Sequence, residues 1–215
     1  MNILIIQENG RHTENRHMRE CHSLAYWLTQ IGANTTCWGK GHENFDKPFS
    51  ALAQENDVVL FLENYDSGWM PEAKKIQKLK LFWSIDSHCE LEAHVRFCKN
   101  ANINIHLNST PGYIQYFEPH VEKCHWFPNA VDPRWFHKKV QIEKKHKIGF
   151  LGSMIADRPQ VIPFLNRTVG LEGFTNIMGD AMVEKLNSFD VSFNKCIADV
   201  LNYGIFESRA CNVPI

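Results

Sequence analysis

The chain has 215 residues, of which 44% are hydrophobic and 22% are charged, an ordinary composition for a globular protein with one large or two modest domains. A formal net charge of -1 gives no reason to expect a nucleic acid or an anionic membrane as a partner. Seven cysteines without a Cys-x-x-Cys pair indicate reduced thiols, so we expect a cytoplasmic protein. The apolar start is too short for a signal peptide or a membrane span and predicts a first strand.

The first part of the sequence alternates short apolar runs with helical patterns. The runs predict strands at residues 2–7, 34–38, 57–62, 80–85, 103–107 and 124–127. Apolar residues at helical spacing predict helices at residues 15–31, 50–54, 90–100 and 112–117. Apolar strands separated by helices are typical of a parallel sheet covered on both faces. Residues 1–130 are therefore predicted to form a Rossmann-like domain.

The second part repeats this α/β pattern after residues 131–146, which end in the charged run 138–146 and which we interpret as a linker. Strands are predicted at residues 147–151, 175–178, 190–193 and from 213, and helices at residues 159–168, 181–187 and 203–211. Residues 147–215 are thus predicted to form a second Rossmann-like domain. Because the sequence stops within an apolar run, we expect this domain to be truncated.

Two motifs resemble those of GT-B glycosyltransferases. Asn-Ala-Val-Asp-Pro-Arg-Trp-Phe at residues 129–136 is similar to the Asn-(Gly/Ala)-Val-Asp-x-x-x-Phe signature at the domain junction of that superfamily. Phe-Glu-Ser-Arg-Ala-Cys-Asn-Val-Pro at residues 206–214 is similar to its Phe-Glu-Ala-x-Ala-x-Gly-x-Pro pattern, with Ser208 and Asn212 as departures. Taken with Asn-Tyr-Gly-Ile-Phe-Glu at residues 202–207, the chain most resembles the CgeB-like, spore-maturation group. The resemblance implies transfer of a sugar from a nucleotide-diphosphate sugar to an acceptor hydroxyl.

Four residues near predicted strand ends are candidates for the donor diphosphate. Gly152 and Ser153 follow the first strand of the second domain, the position where open α/β sheets bind ligands. Arg158, at the start of the next helix, could neutralise phosphate or could be a solvated residue beside Asp157. Lys195 follows another predicted strand and is a second phosphate candidate.

The last predicted helix supplies the other donor-site candidates. The resemblance implies that Glu207 binds the ribose hydroxyls, because a carboxylate accepts two hydrogen bonds. The alternative interpretation is that this segment is only an amphipathic helix, with Phe206, Ala210 and Val213 on its apolar face. Tyr203 and Gly204 lie at the helix start, where backbone donors could meet the diphosphate. Asp199 stands where retaining families have the first Glu of Glu-x7-Glu, or it could be an N-cap.

Candidates for the acceptor side lie in the first domain. Asp86 and His88 follow a predicted strand, and either could act as the general base that deprotonates an acceptor hydroxyl. A structural His88 that caps the next helix is the alternative. Two strand-end loops are further candidates for the acceptor side, with residues Glu8, Asn9, Gly10, Asn64 and Tyr65.

No bound cofactor is expected beyond the nucleotide-diphosphate sugar as co-substrate. Eleven histidines are present, but none has His-Glu-x-x-His spacing, and the resemblance implies no obligatory metal. The acceptor could be a glycan, a protein or a small molecule. Two other functions stay open: a nucleotide-sugar epimerase of the same fold, and a non-catalytic two-lobed module that binds a small ligand.

Overall fold

A computed structural model describes residues 1–64, 66, 68–197 and 202–215. The chain divides into two compact units, Met1–Pro128 and Asn129–Ile215. Residues 131–146, predicted as a linker, belong by their contacts to the second unit. In the part of the chain described, no helix has both the length and the apolar character needed to cross a membrane.

The first unit contains a six-stranded sheet in the order β2-β1-β3-β4-β5-β6, and all of its neighbouring strands are parallel. Its strands are β1 (Asn2–Ile6), β2 (Asn34–Trp38), β3 (Val58–Leu62), β4 (Leu79–Ser84), β5 (Ile105–Asn108) and β6 (Lys123–Trp126). Its α-helices are α1 (Glu20–Gln30), α2 (Phe49–Glu55), α3 (Ser87–Ala101) and α4 (Ile114–Phe117). Short 3-10 turns cover Thr13–Met18, Pro111–Tyr113 and Glu118–His120.

Alternate residues of the central strands enter two separate cores. Leu4 and Phe61 pack on one face with helices α2 and α3, while Ile5 and Leu62 pack on the other face with helix α1. Side chains of a strand alternate between the two faces of a sheet, so continuous apolar strands need helices on both sides. The predicted parallel sheet of the first part is confirmed in this respect.

The second unit contains a three-stranded parallel sheet in the order β8-β7-β9. Its strands are β7 (His146–Leu151), β8 (Glu172–Phe174) and β9 (Phe189–Ser192), and its helices are α5 (Arg158–Val169), α6 (Gly179–Asn187) and α7 (Tyr203–Ala210). A side chain at Gly149 in the central strand would have its Cβ 2.4 Å from the Phe189 ring. Glycine is therefore required where the buried ring crosses β7.

Three predicted elements differ from the structure. The helix predicted at residues 15–31 is a 3-10 turn followed by helix α1, because Arg19 between them is extended. The strand predicted at residues 175–178 is wrong: Asn176 has a φ of 56°, and the strand lies earlier, at Glu172–Phe174. Residues 213–215 form no assigned strand, although the backbone N–H of Ser192 donates to the carbonyl of Pro214 at 2.7 Å.

Candidate functional site

The loops after β7 and β9 lie at one edge of the second sheet. The two strands are adjacent and parallel, with Ile148 opposite Val191 and Gly149 opposite Ser192. Their carboxyl ends therefore face the same side, where open α/β sheets bind ligands. Gly152 and Ser153 follow β7, and Asn194 and Lys195 come two and three residues after the end of β9.

Arg158 joins these two loops. Its Nη1 donates to the carbonyl of Ser153 at 2.9 Å, and its Nε and Nη2 donate to the carbonyl of Lys195 at 3.0 and 2.6 Å. The residue is only 9% exposed, and its guanidinium lies over the Phe150 ring. Desolvation lowers the pKa of Arg158 from its usual value. The alternative of a solvated surface arginine is therefore wrong, and Arg158 fixes the strand-end loops.

Lys195 is already paired with a carboxylate. Its Nζ lies 3.1 Å from Oδ2 of Asp157, and it also donates to the carbonyl of Cys196 at 3.2 Å. Both side chains of the ion pair are substantially exposed, so the pair contributes little to stability and can be exchanged for a phosphate at low cost. Asp199, the other acidic candidate in this region, lies outside the described residues.

The start of helix α7 is fixed by a reciprocal pair of side-chain amides. Asn194 Nδ2 donates to Asn202 Oδ1 at 2.9 Å, and Asn202 Nδ2 donates back to Asn194 Oδ1 at 3.1 Å. Asn202 is the N-cap residue, but its side chain makes no capping bond to the first turn. The side chain that usually satisfies the first N–H groups of a helix is thus used elsewhere.

Gly204 allows this arrangement. A Cβ at Gly204 would lie 2.7 Å from Asn194 Nδ2, so only glycine fits without displacing the amide. Tyr203 and Glu207 are both half-buried, and they lie four residues apart, which puts them on the same side of α7. Ser208 is buried and donates to Ser192 Oγ at 2.9 Å, which anchors α7 to strand β9.

In the first unit, Asp86 follows β4 and is the N-cap residue of helix α3. Its backbone N–H donates to Glu63 Oε2 at 2.8 Å, and that of Ile85 donates to the same oxygen at 2.7 Å. Burial raises the pKa of the Asp86 carboxyl, and the interaction with His88 lowers it in part, so these two candidates lie near each other. His88 is within the first turn of α3, and the alternative that it caps this helix is wrong.

Glu63, at the end of β3, is a functional candidate that our sequence analysis did not select. Burial raises the pKa of Glu63 to about 7. The hydrogen bonds from the backbone N–H groups of Asp86 and Ile85 lower this pKa, but their effect is smaller than that of burial. His94 Nε2 lies 3.5 Å from Glu63 Oε2, and burial lowers the pKa of His94 to about 4. Both shifts favour the uncharged forms, so between about pH 4 and pH 7 this contact joins a neutral carboxyl and a neutral imidazole. A carboxyl with a pKa near neutrality can accept and release a proton at physiological pH.

Glu63, Asp86 and His94 all line one cavity of about 610 Å³ within the first unit. Glu90 contributes another carboxylate, and Met70 and Phe82 contribute apolar surface. This volume lies within the usual range for small-molecule pockets, and the mixed lining suits a ligand with both hydroxyls and apolar faces. Acid–base groups and a cavity therefore occur together at the carboxyl ends of β3 and β4.

The loop candidates of the first unit have structural contacts. Asn64 Oδ1 accepts from the backbone N–H of Glu8 at 2.6 Å, and Asn64 Nδ2 donates to the carbonyl of Leu62 at 2.8 Å. Asn9 Nδ2 donates to the carbonyl of Gly41 at 3.1 Å. Gly10 has a φ of 74°, which favours glycine at the turn. Tyr65 lies outside the described residues.

No known family model and no curated protein matches this sequence. Among solved structures, the chain is similar to the crystal structure of AviGT4, a glycosyltransferase involved in avilamycin A biosynthesis. The TM-score is 0.51 and the identity 12%, and the match covers 89% of this chain and 69% of that one. At this identity the likeness concerns the fold alone. The chain thus has a mixed α/β fold of the kind found in a glycosyltransferase.

Proposed function

We propose that this protein is a GT-B glycosyltransferase that moves a sugar from a nucleotide-diphosphate sugar to an acceptor hydroxyl. One observation carries the proposal: the loop after β7, the loop after β9 and the start of α7 are tied together by Arg158 and by the Asn194–Asn202 amide pair. Three backbone segments are thus held together at the edge of the second sheet where open α/β sheets bind ligands. The fold likeness to a glycosyltransferase supports the same function.

The diphosphate is assigned to the backbone at this edge. Gly152 and Ser153 follow β7, and the N-terminal turn of α7 offers N–H groups that the Asn202 side chain does not cap. Such groups, together with the positive end of the helix dipole, attract anionic oxygens. Lys195 supplies a nearby positive charge that can move from Asp157 to a phosphate. The main-chain donors therefore bind the diphosphate, and Arg158 holds the loops that present them.

The ribose is assigned to Glu207, which lies one helical turn after Tyr203 on α7. An ionised carboxylate has two oxygens and can accept from both ribose hydroxyls. If Asp199 completes the Glu-x7-Glu pattern, the transfer retains the anomeric configuration. Membership of the CgeB-like group, the cytoplasmic location and the absence of an obligatory metal are parts of the same proposal.

The acceptor is assigned to the first unit, where the cavity beside α3 holds Asp86 and Glu63. Asp86 or His88 takes the proton from the acceptor hydroxyl, as a general base within reach of the reacting group must do. Glu63 orders this site through its hydrogen bonds to the backbone of Ile85 and Asp86. The proposed acceptor carries a hydroxyl and fits within the cavity of about 610 Å³ beside α3.

The first test measures binding of uridine, guanosine, adenosine and thymidine diphosphates to the purified chain by calorimetry and thermal shift. One nucleotide is expected to stabilise the folded protein, because a ligand that binds only the native state raises its unfolding temperature. Glu207→Gln should weaken that binding by about 1.5–3 kcal/mol, the range for a hydrogen bond to a charged group. Glu143→Gln, the same change at an exposed carboxylate of the second unit, is the matched control and should bind like the wild type.

Equal affinity in wild type and a well-folded Glu207→Gln variant would remove this residue from the nucleotide site. Absence of binding by all four nucleotides would reject the donor site itself. Product analysis then separates the remaining functions. A transferase consumes an acceptor, an epimerase converts the nucleotide sugar without one, and a binding module does neither.

A further inference from the structure

Two thiols and two imidazoles lie close together beside strand β1 of the first unit, and none of these four residues is assigned to sugar transfer. Cys21 and His22 lie in the first turn of helix α1, Cys37 lies in strand β2, and His42 lies in the loop that follows β2. One ligand atom from each of Cys21, His22 and Cys37 lies within 4.8 Å of the other two. The His42 ring lies 5.4 Å from the His22 ring, which places His42 beside these three residues.

The hydrogen bonds of the two imidazoles determine which nitrogen of each ring can accept a metal. His42 Nε2 lies 3.0 Å from the backbone carbonyl of Gln7, which can only accept, so Nε2 carries the proton. His22 Nε2 lies 2.7 Å from Asn9 Oδ1, and the orientation of this amide is fixed because Asn9 Nδ2 donates to the carbonyl of Gly41. In a neutral imidazole only one nitrogen carries a proton. Nδ1 is therefore the nitrogen with the lone pair in both rings.

This pattern is the one that histidine ligands of metals show. A ligating imidazole donates its other N–H to a carbonyl or carboxylate, which fixes the tautomer and the ring orientation. The backbone holds these acceptors closely in place. At Gly39 a side chain would put its Cβ 2.2 Å from the carbonyl oxygen of Gln7, and the φ of 154° favours glycine. The Gln7 side chain also accepts from the backbone N–H of Cys21 at 2.9 Å.

We propose that Cys21, His22, Cys37 and His42 form a tetrahedral site for Zn²⁺. Two thiolates and two imidazoles are a ligand set of structural zinc sites. With Zn–S near 2.3 Å and Zn–N near 2.0–2.1 Å, neighbouring ligand atoms lie about 3.4–3.8 Å apart. The ligand atoms of Cys21, His22 and Cys37 therefore have to approach one another by about 1 Å, a distance that small rotations of these side chains cover. The ion joins helix α1, strand β2 and the loop after β2.

The test uses the full chain, stripped of metal by a chelator and kept reduced, and titrates it with Co²⁺ as a spectroscopic substitute for Zn²⁺. One Co²⁺ should bind per chain with a thiolate-to-metal charge-transfer band, and Zn²⁺ should displace it. Zn²⁺ should also raise the unfolding temperature, because a native-state ligand stabilises the fold. Cys37→Ser and His42→Gln should each weaken Co²⁺ binding by about 100-fold or more, since even loss of an outer-shell partner costs 10–100-fold.

Two controls make the result specific. Cys89→Ser removes an exposed cysteine outside the cluster and should leave the charge-transfer band unchanged. Asn9→Ala removes no proposed ligand, but it removes the acceptor of the His22 N–H and the Asn9 bond to the Gly41 carbonyl, and it should weaken binding by about 10-fold. A reduced protein without the charge-transfer band, or with the same Co²⁺ affinity in folded Cys37→Ser and His42→Gln variants, would overturn the proposal. If one variant does not fold, as circular dichroism would show, the other decides.

Discussion

Gly204 is the position where the assembly of the proposed donor site can be tested by a single methyl group. Gly204→Ala would put a Cβ 2.7 Å from Asn194 Nδ2, closer than two such atoms can remain. Asn194 must then rotate and give up its two hydrogen bonds with Asn202. A neutral hydrogen bond contributes about 0.5–1.5 kcal/mol, so the pair is worth about 1–3 kcal/mol.

A second effect opposes the first. Gly204 is the second residue of α7, and alanine is preferred to glycine in a helix by up to about 1 kcal/mol. We therefore expect Gly204→Ala to destabilise the second unit by about 0–2 kcal/mol, a net value that is uninformative alone. The double-mutant cycle with Asn194→Ala separates the two effects. Without the amide, Gly204→Ala should be neutral or stabilising, which gives a coupling of about 1–3 kcal/mol.

The assay is chemical denaturation followed by far-ultraviolet circular dichroism, with nucleotide affinity measured on the same four proteins. Gly112→Ala is the matched control, since no atom lies within 4 Å of a Cβ placed there. Nucleotide binding should weaken in Gly204→Ala, because displacement of the amides releases the start of α7. Additive free energies for Gly204→Ala and Asn194→Ala would refute the reasoning, and so would an equal coupling between Gly112→Ala and Asn194→Ala.

Two further predictions concern proton chemistry. Burial lowers the pKa of His106 to about 3, below its usual value of 6.5. The unfolded chain therefore binds a proton at His106 more readily than the folded chain does. The stabilisation that is present above pH 6.5 is lost as the pH falls towards 3. Lowering the pH from about 7.5 to 5.0 should therefore reduce the free energy of unfolding by about 2 kcal/mol through His106. Chemical denaturation at the two pH values should show a smaller reduction in His106→Asn. The same reduction in the variant and the wild type would contradict the assignment. In a transfer assay Asp86→Asn or His88→Gln should lower turnover by roughly two to four orders of magnitude with donor affinity intact, as expected on removing a general base. Near-wild-type turnover in both single variants would leave these residues structural.

The sheet of the first unit could be predicted because its signal is local. Residues such as Leu4, Ile5, Leu60 and Phe61 form runs of apolar side chains, and a fully buried parallel strand needs no other signal. The misplaced strand at residues 175–178 has only two apolar residues, Ile177 and Met178, and Asn176 adopts a left-handed conformation there. Backbone conformation at one residue can thus break a strand that composition favours.

The candidate sites were harder to predict, because their residues act through distant contacts. Arg158 could be selected from its position at a helix start, but its bonds to the Ser153 and Lys195 carbonyls depend on a loop 37 residues later in the chain. Glu63 had a usable signal, since it directly follows a buried strand, as Asp86 does. Cys37 and His42 had no signal in the sequence that joins them to Cys21, because fifteen or more residues separate them from it.

Gly149 and Phe189 have a consequence for how this fold can change during evolution. The Phe189 ring fills the space where any side chain at residue 149 would start, and it also stacks on Phe174. A larger residue at 149 is tolerated only after the ring at 189 has been replaced by a smaller group, whereas the reverse order passes through a clash in a closely packed core. We therefore expect the two positions to vary together in relatives of this chain, with the change at 189 preceding the change at 149.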